Sequence, residues 1–130
     1  MLSIALLVLG ATPDGGAGDG GMPAVAADWG ALRTPMKAVP ASLGGYSAGC
    51  LQGAVALTPS GRGYELLHLG RHRGFGHPTL VEYIRRLAAE MQKKKLGRLL
   101  VGDMSQPRGG PTPTGHKSHQ TGLDADLGYA

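Results

Sequence analysis

Only one stretch of this chain carries a helical period long enough to organise a packed domain. From about Pro78 to Lys95, the apolar residues Leu80, Ile84, Leu87 and Met91 recur at spacings of three and four, which places them on one face of a helix. Val81 and Ala88 widen that stripe, while Arg85, Arg86, Glu90 and Lys93 fall on the wet side. Pro78 suits the first turn, where its missing N–H is no loss, and Gly97 offers a left-handed stop. The spacing predicts a helix over about 78–96.

Everything else in the pattern is short. Leu51–Leu57 and Tyr64–Leu69 read as strands, and residues 58–63 between them have the composition of a turn, so the two are expected to form a hairpin. Arg98–Gly102 is a third short apolar strand, followed by a loop over 103–115 that holds Pro107, Pro111 and Pro113. Between Trp29 and Ala48 the pattern is irregular, with Pro35 and Pro40 breaking any helix. A length of 130 residues accommodates one domain. The predicted class is α+β: a small antiparallel sheet, one main helix over about 78–96, and long loops.

The 23 glycines of the chain are unevenly placed, and residues 10–28, rich in Gly, Ala and Asp, read as a flexible linker. Ahead of it, Leu2–Leu9 is apolar but far short of the roughly 20 residues that span a bilayer. It matches the middle of a secretory signal, and Ala24-Val25-Ala26 offers a small-residue cleavage site, although no Lys or Arg precedes the run. Residues 1–28 are therefore expected to be a signal-like, flexible segment, and 29–130 the domain of an exported protein. No stable membrane span is expected.

Thirteen basic residues against 9 acidic ones give a net charge of +4, of which Lys93, Lys94 and Lys95 at the helix end supply three. Cations there complement the helix dipole. A nucleic-acid binder would carry a broader basic face with interleaved aromatics, and this chain does not.

The chemistry is concentrated near residue 120. In Gly115-His116-Lys-Ser-His119-Gln-Thr-Gly-Leu-Asp124-Ala-Asp126, two histidines and two carboxylates lie within eleven residues. Neutral imidazole and carboxylate are ordinary zinc ligands at catalytic sites. If 123–127 is a strand, its period of two puts Asp124 and Asp126 on one face. Ser118 and Gln120 are candidates to hold a histidine ring in place. On spacing alone this remains a two- or three-ligand site, and a polar surface loop is the plainer reading. His68, His72 and His77 read as structural.

The same segment resembles the signature of the penicillin-insensitive murein endopeptidases, which belong to a wider group of zinc peptidases that includes D-Ala-D-Ala carboxypeptidases and lysostaphin-type enzymes. Tyr46-Ser-Ala-Gly-Cys50, Arg73-Gly-Phe-Gly-His-Pro78, Leu100-Val-Gly-Asp-Met104 and Pro107-Arg-Gly-Gly110 resemble other family segments in the same order. The likeness runs from about Ser42 to Leu127. It implies that His119 and Asp126 are ligands of a catalytic Zn2+. By the same likeness His116 is a neighbouring metal or substrate residue, and the substrate is the D-alanyl-meso-diaminopimelyl peptide crosslink of peptidoglycan in the periplasm.

The chain also departs from the family. Such enzymes complete the zinc site with a downstream His-x-His pair, and no His-x-His occurs here. The general base is expected in that same missing portion, as is the cysteine that would pair with Cys50, the chain's single cysteine. The resemblance thus implies the N-terminal part of an incomplete catalytic domain, inactive or nearly so by itself. The alternative is a non-catalytic remnant that binds zinc or peptidoglycan.

Overall fold

In the computed structural model, which describes residues 24–45, 47–114 and 117–130, the helix forms as expected. It is α2, Pro78–Lys93. His77 caps it: its Nδ1 accepts the backbone N–H of Thr79 at 3.2 Å. At the other end the left-handed residue is Lys95 (φ 56°) rather than Gly97, and Leu96 N–H reaches back to the Met91 carbonyl at 2.9 Å. That six-residue closure satisfies an orphan carbonyl of the last turn. Gly97, with φ 100°, sits beneath the carbonyl of Ala130, where a side chain would not fit.

The face of α2 that is fully buried is Val81, Ile84 and Ala88; Leu80, Leu87 and Met91 flank it and are only partly covered. These side chains pack on a four-stranded sheet. Its order is β4 (Ser60–Gly61), β5 (Tyr64–Leu66), β7 (Leu99–Val101) and β8 (Leu127–Tyr129). Tyr64, Leu66, Leu99 and Val101 face the helix, with Leu57 and Met104 closing the core. All pairings in this sheet are antiparallel except β5 with β7, which run parallel because α2 returns the chain between them. Ile84 is wholly inaccessible to solvent. Ile84→Ala is expected to cost about 2–5 kcal/mol in chemical denaturation, since the hole it leaves is walled by strand residues that cannot collapse into it.

Two expectations fail. Residues 51–57 do not pair with 64–69 as a hairpin. Gly53, at φ 61°, breaks the first run into β2 (Ala48–Gln52) and β3 (Val55–Ala56). β2 pairs with β1 (Ala41–Gly45), and β3 pairs with β6 (Phe75–Gly76). Only the tight β4–β5 turn survives of the predicted hairpin. Nor is the linker irregular up to residue 28: Ala24–Ala31 is helix α1. Its alanines are strong helix formers, and Trp29 packs its ring over Gly110, where a Cβ would overlap the indole. The remainder of the signal-like segment, residues 1–23, lies outside the described residues. No described helix is long and apolar enough to cross a membrane.

Candidate metal centre

The segment from His119 to Asp126 is irregular chain held on both flanks by named bonds. On one side Gln120 is the tether: its Oε1 accepts Gly49 N–H at 3.1 Å, and its Nε2 donates to the carbonyls of Ser47 and Lys117 at 3.0 and 3.1 Å. Ser42 Oγ donates to the Thr121 carbonyl at 2.7 Å. In the middle, His77 N–H donates to the carbonyl of Gly122, which itself sits at φ 70°. On the far side Asp126 N–H donates to Asp103 O at 2.9 Å, and Gly102 N–H donates to Asp126 O at 2.7 Å. The loop is thereby stitched to β1, β2, the start of α2 and the end of β7.

Within this frame His119 is forced into an uncommon state. It has φ 66° and is 2% exposed. A non-glycine residue in the left-handed region costs of order 1–3 kcal/mol, and such strain persists where surrounding structure over-determines it. Here one carboxylate does so. Asp124 Oδ2 accepts the backbone N–H of His119 at 3.1 Å and lies 2.7 Å from its Nδ1. The contact sets the Nδ1 edge of the ring against Asp124 and leaves its Nε2 edge facing Asp126.

What Nε2 meets is another electron-pair donor: Asp126 Oδ2, 3.5 Å away on a side chain that is 55% exposed. That separation is long for a hydrogen bond. Two ligands bound to zinc at their usual distances and a tetrahedral angle lie about 3.3–3.5 Å apart. A carboxylate beside one nitrogen of a histidine is also usual for a metal-binding imidazole. His119 and Asp126 therefore fit two corners of a zinc site, with Asp124 against the other edge of the ring.

His116 lies outside the described residues, as does Gly115. Among the described residues no group of three or more His, Cys, Asp or Glu side chains is placed to hold an ion. His77 serves as a helix cap, and His68 and His72 flank a 3-10 turn, Leu69–Arg71, both at φ 53°. Asp124 and Asp126 do both face the histidine, but through irregular chain; the expected strand over 123–127 begins only at Leu127. Beside the His119 ring lies the carboxylate of Asp124, while Gln120 bonds backbone groups of Ser47, Gly49 and Lys117.

A second element of the site was not anticipated. Arg73 and Asp103 form a buried ion pair, Nη1 to Oδ2 at 2.8 Å, and Arg71 Nη1 reaches the same oxygen at 3.1 Å. Arg73 Nη2 also donates to the carbonyl and hydroxyl of Thr114, at 3.2 and 2.9 Å, just ahead of the histidine motif. Burial by itself would push the Asp103 carboxyl up. The hydrogen bond and charge of Arg73, with Arg71 behind it, outweigh burial and hold the group below its ordinary range. The available signal was two arginines flanking His72 and a single acid in the 103–115 loop. Cys50 is a free, half-buried thiol on β2, lining an apolar hollow with Trp29, Leu43 and Gln120.

Sequence comparison identifies the family that this chain resembles. The profile of the penicillin-insensitive murein endopeptidases matches residues 42–130. A penicillin-insensitive murein endopeptidase of Klebsiella pneumoniae (strain 342) is 43% identical over 102 residues, covering 78% of this chain and 37% of the relative. Its counterpart in Haemophilus influenzae is 43% identical over 105 residues, 77% of this chain and 36% of the relative. That of Yersinia enterocolitica is 41% identical over 102 residues, with 78% and 37% covered. The chain thus spans little more than a third of the length of these relatives.

Proposed function

Because the chain belongs to the penicillin-insensitive murein endopeptidase family, we propose that it contributes part of a zinc site that hydrolyses peptide crosslinks of peptidoglycan in the periplasm. The observation that carries this reading is the array Asp124–His119–Asp126, in which a buried imidazole and an exposed carboxylate converge at 3.5 Å. His119 Nε2 and Asp126 Oδ2 would hold the ion; His116, which the family resemblance makes a further metal or substrate residue, lies outside the described residues. When bound, zinc supplies Lewis-acid activation of water and of the scissile carbonyl. The bond proposed is the D-alanyl-meso-diaminopimelyl link.

The residues of this chain do the positioning. Asp124 holds the edge of the ring opposite Asp126. The stitching of 119–126 to four other elements stops the ligands from splaying, and the buried ring excludes water from one side of the site. A catalytic zinc normally takes three protein ligands, and the described residues offer two. By itself the 130-residue chain is therefore expected to hold zinc weakly and to lack turnover.

Crosslinked muropeptide dimers incubated with the chain and zinc should remain dimers by chromatography. A longer form that includes a downstream His-x-His pair should convert them to monomers. Cleavage by the 130-residue chain would refute the ligand count, and inertness of the zinc-loaded longer form would refute the endopeptidase reading in favour of a non-catalytic binding role.

A further inference from the structure

A cleft of about 230 Å³ opens between the end of α1 and the 3-10 turn, with Thr114 on its wall. Among the described residues, Arg33, Arg71, His72 and Arg73 line it and no acidic side chain does. Among the described residues, Asp103 is the carboxylate that pairs with these guanidiniums, taking Arg71 and Arg73 on one oxygen. Three guanidiniums against one carboxylate leave a concave, positively charged surface, and low-dielectric walls concentrate such a field.

The three arginines are held differently. Arg73 is buried and committed to Asp103 and Thr114, so it forms a fixed floor. Arg71 gives Nη1 to Asp103 but is 49% exposed. Arg33 is exposed and gives Nη1 to the Gly30 carbonyl at 3.0 Å. A guanidinium carries five N–H donors in a planar fork, so both exposed arginines retain donors for a ligand. Forks of this kind match a carboxylate in bidentate geometry. Among the described residues no Phe, Tyr or Trp lines the cleft, and its volume of about 230 Å³ suits a single acidic residue rather than a polyanionic strand.

We propose that this cleft binds a carboxylate of a substrate peptide, with Arg33 and Arg71 as its two arms and Arg73 fixed behind them. The proposal rests on the peptidoglycan reading, since stem peptides of that polymer carry free carboxylates on their glutamyl and diaminopimelyl residues. Because Arg73 also grips Thr114, the occupied cleft would sit against the loop that leads to His116 and His119.

The full 130-residue chain, without zinc, is titrated with the tripeptide L-Ala-D-Glu-meso-diaminopimelate and with the same peptide carrying carboxamides. Trp29, the single tryptophan, lies next to Gly30 on the cleft wall and is the fluorescence reporter. The acid is expected to bind at least about tenfold more tightly than the amide, and Arg33→Ala or Arg71→Ala to weaken it about five- to tenfold. Arg33→Lys should recover part of the loss, and added salt should weaken binding because the arms are exposed. Arg33 is exposed and bonds the backbone carbonyl of Gly30, so its variants should melt like the parent, which separates lost binding from lost folding. Equal affinity for acid and amide, or unchanged binding in both alanine variants, would overturn the proposal. So would displacement of the peptide by an equal concentration of inorganic phosphate. Since zinc is omitted, peptide binding alongside a longer form that fails to cleave would support the cleft while refuting the endopeptidase reading.

Discussion

His119→Asn, introduced into a form of the protein that carries the whole donor set, should abolish cleavage of muropeptide dimers, a loss of about a thousandfold or more. The figure follows from the several kcal/mol that a Lewis-acid metal contributes to the transition state, with each 1.4 kcal/mol worth about tenfold in rate. Asparagine is chosen because His119 sits at φ 66°, a conformation that Asn tolerates and Ala does not. The variant should therefore fold and melt near the parent while zinc titration shows weakened binding. Asp124→Asn is the graded companion. It keeps the shape but replaces the anionic acceptor 2.7 Å from Nδ1, and changes to such supporting groups cost about 10–100-fold in metal affinity or activity. Undiminished turnover in His119→Asn would remove that residue from the ligand set, and with it the convergence on Asp126.

The parts of this molecule that could be read from sequence are those fixed by neighbours in the chain. α2 was legible because its stripe recurs at helical spacing, and β7 because a short apolar run follows a helix stop. The strand partners were not. Residues 41–45, Ala-Ser-Leu-Gly-Gly, have no alternating pattern, yet they form β1 because the backbone of 48–52 pairs with them. α1 was hidden by an alanine- and glycine-rich composition shared with linkers; the contact that favours it, Trp29 on Gly110, spans most of the chain.

At the site, spacing grouped two histidines and two acids without choosing among them, and the family resemblance singled out His119 and Asp126; the structure brings His119, Asp124 and Asp126 together. Their division of labour could not be named. It depends on a left-handed turn at His119 that lets one carboxylate take both the backbone N–H and Nδ1. The arginine–aspartate pair was equally hidden, since residues 73 and 103 meet only after α2 has folded between them.

That pair supplies the largest expected effect on stability. Asp103→Ala should lower unfolding free energy by about 3–5 kcal/mol, because Arg73 would be left as a buried charge without its counter-ion. Arg71→Ala, which removes a half-exposed partner of the same oxygen, should cost less than about 1 kcal/mol. The contrast is the test, since an equal cost for the two would mean that burial does not govern the pair. The acid response has a definite sign. Asp103 has a folded-state pKa held below its unfolded one, so the unfolded chain binds the proton more readily. Its contribution to stability is complete above the ordinary carboxylate range and declines as pH falls through and below that range. Urea unfolding of the parent between neutral and strongly acid pH should show this loss, and Asp103→Asn should flatten it. Asp103 O also accepts the N–H of Asp126, and Arg73 holds Thr114. Acid should therefore loosen the segments on either side of the histidine motif while the core of α2 on β5 and β7 still holds. Amide exchange at Gly102 and Asp126 that accelerates before exchange at Ile84 would establish that order, and simultaneous loss would refute it.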